Sequence, residues 1–179
     1  MRLSTRLEIV GFGYIKNSRL RFGYAVMRLT AHALILAWQK FENKEYHFNS
    51  DYRKYDIAKQ TCEHMGGKLA EPRKQTTNDF FTDVAKKKGI AALLIGINDL
   101  SEEGEFVYIS NDSPITWSNW YEGQPNNRQE EEHCVGIGIT KIGSQLLSSS
   151  EQGKWFDRKC YYSLPFVCER IVQGMYNYK

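Results

Sequence analysis

Four cysteines, Cys62, Cys134, Cys160 and Cys168, constrain the fold of this chain more than any other feature. All lie beyond its first third, and none forms a C-x-x-C pair, which argues against a zinc knuckle or a thioredoxin-type redox site. An even count in an aromatic-rich chain favours disulfides and an oxidising compartment, with buried reduced thiols as the alternative. Four cysteines allow three pairings, and spacing alone does not choose among them.

The rest of the composition sets the scale. A chain of 179 residues with 41% hydrophobic content suits one domain plus an extension, with enough apolar area for a core. Charge divides unevenly. Residues 1–45 hold eight Lys/Arg against three Glu, a balance of +5, and residues 46–179 hold sixteen against eighteen, a balance of −2. A basic extension of this kind reads as a solvated tail, and no nucleic-acid partner is expected from it. The opening "MRLSTRLEIVGFGYIK" has no continuous apolar run of the signal-peptide kind. The apolar "HALILAW" is far shorter than the roughly 20 residues needed to cross a bilayer, so no transmembrane segment is expected. If the domain is secreted, the chain begins short of, or differs from, the native N-terminus.

Periodicity gives the coarse order of elements. Residues 1–23 show no firm pattern. Residues 24–41 read as a helix, with Val26, Leu29, Ala33 and Leu36 at a/d-like spacing, and 24–44 is taken as a neck-like segment. "EYHFNSDY" alternates as a strand does. "YRKYDIAKQTCEHMGG" places Tyr55, Ile57, Ala58, Cys62 and Met65 on a stripe of helical period, stopped by Gly66-Gly67. A second helix is expected from Thr76 or Thr77 as cap, with Asp79 in its first turn, Lys86–Lys88 in its last and Gly89 beyond. After residue 90 the pattern shortens to strands, "ALLIGIN", "EFVYIS", "CVGIGI", "GKWFD" and "PFVCE", with Gly143–Gly153 as a flexible loop. Helices followed by short strands and long loops predict an α+β domain over 45–171 and a tail over 172–179.

Chemistry concentrates in "EGQPNNRQEEEHC". Gln124, Asn126 and Asn127 offer amide oxygens, and Glu130–Glu132 offer carboxylates. Calcium takes about 6–8 such oxygens, whereas zinc prefers His or Cys. A Cys134–Cys160 crosslink would draw the Glu132 region beside Asp157. Pro125 would fix the loop, and an X-Pro bond tolerates the cis form. On composition alone, a solvated acidic loop is the better explanation of this stretch. Catalytic motifs are lacking: Gly11-Phe12-Gly13 lacks a third glycine, and His32, His47, His64 and His133 fall in no triad or zincin pattern, so no enzyme is expected. Asn111-Asp112-Ser113 is a candidate glycosylation sequon, weakened by Pro114.

"TCEHMGGKLAEPR", "EEGEF", "TWSNWYEGQPN", "EHCV", "GKWFDRKC" and "PFVCE" stand in the order and spacing of a C-type lectin domain, and the chain resembles that family over about residues 45–170. Within it, "GGKLAEPR" and "TWSNWYEGQPN" look closest to the collectins, the pulmonary surfactant protein A type in particular. No collagen-like Gly-X-Y repeat is present.

The resemblance implies the pairs Cys62–Cys168 and Cys134–Cys160, a long-loop C-type lectin fold after a helical neck, and no catalysis. It implies a secreted, extracellular calcium-dependent lectin that recognises glycans on microbial or cell surfaces in innate immunity. Surfactant phospholipid is a further implied ligand, and homo-oligomerisation, a trimer through the neck, is implied as well. Gln124, Asn126, Glu132 and Asp157 match the principal calcium and carbohydrate ligands. Asp99, Glu103 and Asn127 match an auxiliary calcium site that shares Glu132. Trp117 and Trp120 match packing positions. Three departures stand out. The usual Trp-Asn-Asp reads Trp155-Phe156-Asp157, so one amide ligand is missing, and Phe156 would either stack on a sugar or cover the metal position. Gln124-Pro125-Asn126 is a hybrid of the mannose-type Glu-Pro-Asn and galactose-type Gln-Pro-Asp triplets. His133 replaces an acidic residue. Two carboxylates among four side-chain ligands carry a formal −2, against −3 for a mannose-type set, which predicts a weak calcium site. These changes motivate the alternative of a calcium-independent, lectin-like protein-interaction domain.

Overall fold

The computed structural model describes residues 38–172. Strands β1 (Gln39–Phe41) and β2 (Lys44–Arg53) form an antiparallel hairpin whose turn holds Glu42 at φ 54°. Helix α1 (Tyr55–His64), strand β3 (Lys68–Leu69) and helix α2 (Gln75–Lys87) follow. Then come β4 (Ala92–Asn98), β5 (Val107–Tyr108), β6 (Cys134–Gly138), the small pair β7 (Lys141–Ile142) and β8 (Gln145–Leu146), β9 (Trp155–Arg158) and β10 (Leu164–Ile171). The arrangement is the α+β class expected, with a long irregular stretch between β5 and β6.

The main sheet runs β1-β2-β10-β4-β6-β9, with β3 attached to β10 and β5 to β4. Among the described strand pairings of this sheet only β10–β4 is parallel; the last strand returns to the middle of the sheet, between β2 and β4. Two-residue alternation then divides the core. Leu93, Ile95 and Ile97 of β4 join Tyr46, Phe48, Phe81, Val135, Ile137, Trp155 and Val167 in one buried cluster. Leu94 joins Tyr55, Ala58, Cys62, Leu69, Phe166 and Cys168 in the other. Both faces of β4 are therefore covered, which is why its sequence is apolar without a polar alternate. Burying these side chains contributes about 1.5–3 kcal/mol each relative to exposure. Gly96 carries no side chain because Leu69 O would lie 2.6 Å from an added Cβ.

The disulfides are Cys62–Cys168 and Cys134–Cys160. The first joins α1 to β10. The second holds the segment after β9 against the start of β6.

Several expectations change. Of the helix expected over 24–41, residues 38–41 are described and none is helical: Gln39–Phe41 is strand paired with β2, and the Phe41 ring stacks on Phe80 with centroids 4.4 Å apart. Residues 24–37, together with 1–23 and 173–179, lie outside the described residues. In α2 the N-cap is Lys74 in extended backbone, without a side-chain cap bond, instead of Thr76 or Thr77. Thr77 is buried inside the first turn, and Asp79 falls just beyond it, accepting a bond from Gln75 Nε2 at 2.7 Å. Burial of the inner helix face outweighs capping preference here. Ile57, assigned to the α1 stripe, is 41% exposed. "EFVYIS" shortens to the two-residue β5. Gly143–Gly153, expected as a flexible loop, contributes β8, buries Leu147, and is tied to β6 by Gly153 N–H donating to Gly138 O at 2.8 Å.

Candidate functional site

The loops from residue 119 to 133 are seated on the outer strand β9. Trp155 is fully buried and meets Trp117 and Trp120 edge-on, with centroids at 5.2 and 5.7 Å. Its N–H donates to Asn119 O, and its carbonyl accepts from Tyr121 N–H, both at 2.8 Å. Asn78 of α2 locks the same residue: its Oδ1 accepts the Trp155 indole N–H at 2.8 Å, and its Nδ2 donates to Gly153 O at 3.0 Å. Asn78 was not foreseen, because an amide within a helical pattern gives no sign of the buried partners it will meet.

Two residues beyond Trp155, Asp157 organises the loop. Its Oδ2 accepts the backbone N–H groups of Asn126 at 2.9 Å and Asn127 at 2.6 Å. Its own N–H donates to Gln124 Oε1 at 3.1 Å. The Gln124–Pro125 peptide between them is cis. Asp157 Oδ1 is buried and accepts no hydrogen bond. Glu132 joins this group through Asn127, whose Oδ1 accepts Glu132 N–H at 3.0 Å, and Glu132 Oε2 accepts Arg128 N–H at 3.3 Å. Burial raises the Glu132 carboxyl above its ordinary range, Asp157 adds to the rise, and the Arg128 N–H opposes it. Gln124, Asn126, Glu132 and Asp157 thus belong to one connected constellation, and Asn127 is bonded into it.

Phe156 faces the other way along the pleat. It is 4% exposed and covers Gly136 of β6, where an added Cβ would lie 2.7 Å from its Cζ. A buried ring cannot stack on a sugar, so that expectation fails. Arg158, on the same side, lies 5.9 Å from the Phe156 centroid and has a buried Nε without a hydrogen bond. Burial lowers its guanidinium from the usual value, and Glu132 counters that shift. Lys159 donates to Gln129 Oε1 at 2.6 Å and also to Glu131, drawing the Arg128–Glu130 turn toward the end of β9. That turn contains two residues of positive φ, Gln129 and Glu130, and Asn127 immediately before it is a third.

Asp99 and Glu103 meet His133, the residue that stands where the auxiliary site would have an acidic one. Asp99 follows β4, and its N–H donates to His133 O at 3.2 Å. Nδ1 of His133 lies 3.3 Å from Asp99 Oδ1 and 3.2 Å from Glu103 Oε2. One donor atom from each of the three residues falls within 4.8 Å of the others. Asn127 is bonded to Asp157 and Glu132 instead. Asn111 is exposed in the turn after β5, where its Oδ1 accepts Ser113 Oγ–H at 2.9 Å.

The family model for the lectin C-type domain matches residues 52–170. Collectin-11 of Danio rerio is 34% identical over 128 residues, covering 72% of this chain and 43% of that protein. Collectin-10 of Homo sapiens is 32% identical over 138 residues, covering 77% of this chain and 46% of that protein. The chain thus spans under half the length of these curated relatives. Among solved structures, the cow CD23 carbohydrate-recognition domain, determined in the presence of a GlcNAc2Man3 oligosaccharide, superposes with a TM-score of 0.64 at 31% identity, covering 76% of this chain and 95% of that one. The mouse scavenger receptor C-type lectin domain gives 0.65 at 24% identity, covering 76% and 96%, a likeness of fold.

Proposed function

Because this chain belongs to the C-type lectin domain family, we propose that its Gln124–Asp157 constellation binds carbohydrate in a calcium-dependent manner. One observation carries the reading: the buried Asp157 carboxylate uses Oδ2 to hold the cis-proline loop and keeps Oδ1 without a partner. A buried carboxylate oxygen without a donor is costly unless a cation satisfies it. Asp157 Oδ1, Glu132 and the exposed Asn126 amide supply the hard oxygens that calcium prefers, so the residues present fit that ion. When bound, calcium would supply open coordination positions for vicinal sugar hydroxyls.

The chain's own residues do the rest. Asp157 orients Asn126 by its backbone, Gln124 is held by the Asp157 N–H, and Asn127 holds the Glu132 backbone, so the side-chain ligands enter from a preset loop. Affinity for the ion is weak. Two carboxylates give a formal −2, Phe156 contributes no oxygen, and Arg158 and Arg128 compete for the Glu132 charge. The same features favour the second reading, a calcium-independent interaction domain, since Gln124 Oε1 already has an internal donor.

The finer assignments follow from family resemblance: an extracellular collectin-like role on microbial or cell-surface glycans, with surfactant phospholipid as an additional ligand. Association through residues 24–37, ahead of β1, into a homotrimer would raise avidity by about 10²–10⁴ on repetitive glycans. Binding to a mannan matrix, a glycan array and phospholipid vesicles, each with and without EDTA, tests the reading. EDTA-sensitive glycan retention that Glu132→Ala abolishes supports it. Retention unaffected by EDTA, or none on any glycan, favours the second reading.

A further inference from the structure

We propose that Asp99, Glu103 and His133 form a site for a zinc-type transition-metal ion, beside the glycan loop and chemically distinct from a calcium site. Asp99 is 1% exposed, and its Oδ1 has no hydrogen-bond partner. His133 Nδ1 is likewise buried and without a hydrogen bond, although the two atoms stand only 3.3 Å apart. Glu103 closes the group from the solvent side, its Oε2 3.2 Å from the same nitrogen. Three lone-pair donors therefore converge with no hydrogen bond among them, and a cation at their centre would satisfy all three.

The donor set selects the class of ion. Calcium takes oxygen ligands, about 6–8 of them, and an imidazole nitrogen does not serve it. Zinc takes His nitrogen and carboxylate oxygen at about 2.0–2.2 Å in tetrahedral arrangement, in which neighbouring donors lie roughly 3.3 Å apart. The two measured separations of 3.2 and 3.3 Å match that edge.

Support around the donors is also in place. Gly104 N–H donates to Asp99 Oδ2 at 2.9 Å, which turns Oδ1 toward the centre. Asp99 N–H on His133 O pins the two ligand-bearing segments together where β4 and β6 diverge. Such outer contacts fix ligand orientation. With three protein donors, a tetrahedral ion keeps one position for water or an exogenous ligand. Because His133 directly follows Glu132, metal binding there would also immobilise one ligand of the glycan site.

The full chain, freed of metal by chelation, is titrated separately with zinc chloride and calcium chloride by calorimetry, and with cobalt(II) by visible absorption. The expected result is one zinc per chain that His133→Ala weakens at least about tenfold, together with loss of the cobalt d–d bands. Asp157→Asn leaves the zinc response unchanged, so a failure of the glycan reading and a failure of this one are separable. No zinc binding, or zinc binding equal in the parent and His133→Ala, would overturn the proposal and leave His133 as a proton-bearing partner of two carboxylates. Calcium binding at this position with His133 intact would overturn it as well.

Discussion

The backbone N–H of Asn127 donates to Asp157 Oδ2 at 2.6 Å across 30 positions of sequence. That bond joins the cis-proline loop to the outer strand and leaves the other Asp157 oxygen for a cation. Asp157→Asn keeps an acceptor for the loop but removes the charge. Calcium binding, read by calorimetry, should fall by at least about tenfold while the thermal midpoint of the metal-free protein changes little.

Gln124→Glu should act in the opposite direction. A carboxylate at 124 can still accept the Asp157 N–H, and it raises the formal ligand charge from −2 to −3. Calcium affinity should rise about tenfold, since ligand charge tunes such sites. Selection should move toward mannose-type sugars, measured by competition with mannose and galactose.

The Phe156 ring fills the space over Gly136. An alanine methyl there would meet Cζ at 2.7 Å. Gly136→Ala should cost about 1–3 kcal/mol, as overpacked sites do, measured by urea denaturation. Phe156→Leu in the same chain should recover part of that loss. Equal destabilisation with and without the second change would mean that the ring does not cover Gly136.

The two disulfides should differ in weight. Cys62–Cys168 closes 106 residues and Cys134–Cys160 closes 26. On the chain-entropy account, replacing the first pair by alanine should cost about 1 kcal/mol more than replacing the second. Chemical denaturation of the two double variants under one buffer condition gives the comparison.

Glu71 supplies a pH-dependent contribution. It is 1% exposed, accepts Ser110 N–H at 2.8 Å, and pairs with Lys68 at 2.7 Å and Arg73 at 2.8 Å. Burial alone would raise its carboxyl, but Lys68, Arg73 and Ser110 outweigh burial and hold it below the ordinary value. A depressed folded value means the stabilisation is present above the unfolded value and is lost as pH falls through the folded one. Glu71→Gln should therefore cost most near neutrality, about 3 kcal/mol, the low end for breaking a buried pair because Lys68 and Arg73 reach water. The thermal-midpoint gap between parent and variant should narrow as pH falls.

Much of the fold was legible because it is periodic. The stripe Tyr55, Ala58 and Cys62, the apolar run of β4 and the glycine stops at 66 and 89 each have a local physical cause. Ile57 and the Thr76 cap misled for one reason: which face is buried, and where a helix starts, depend on what lies opposite. The oxygen-rich loop was visible as composition, and family resemblance supplied its candidate ligands and disulfide pairs. Asn78 and Lys159 carried no such signal, since their partners lie 75 and 30 positions or so away.

Sequence by itself determined the inventory: four cysteines, alternating strands, two amphipathic helices, and a loop with enough hard oxygens for a divalent cation. Tertiary structure decided what those groups face. It turned Phe156 inward onto Gly136, left Asp157 Oδ1 without a donor, and set His133 between Asp99 and Glu103. The physical reason is that composition and local periodicity are properties of neighbours along the chain. The direction of a lone pair, and whether anything answers it, is fixed only when strands distant in sequence pair and their loops close.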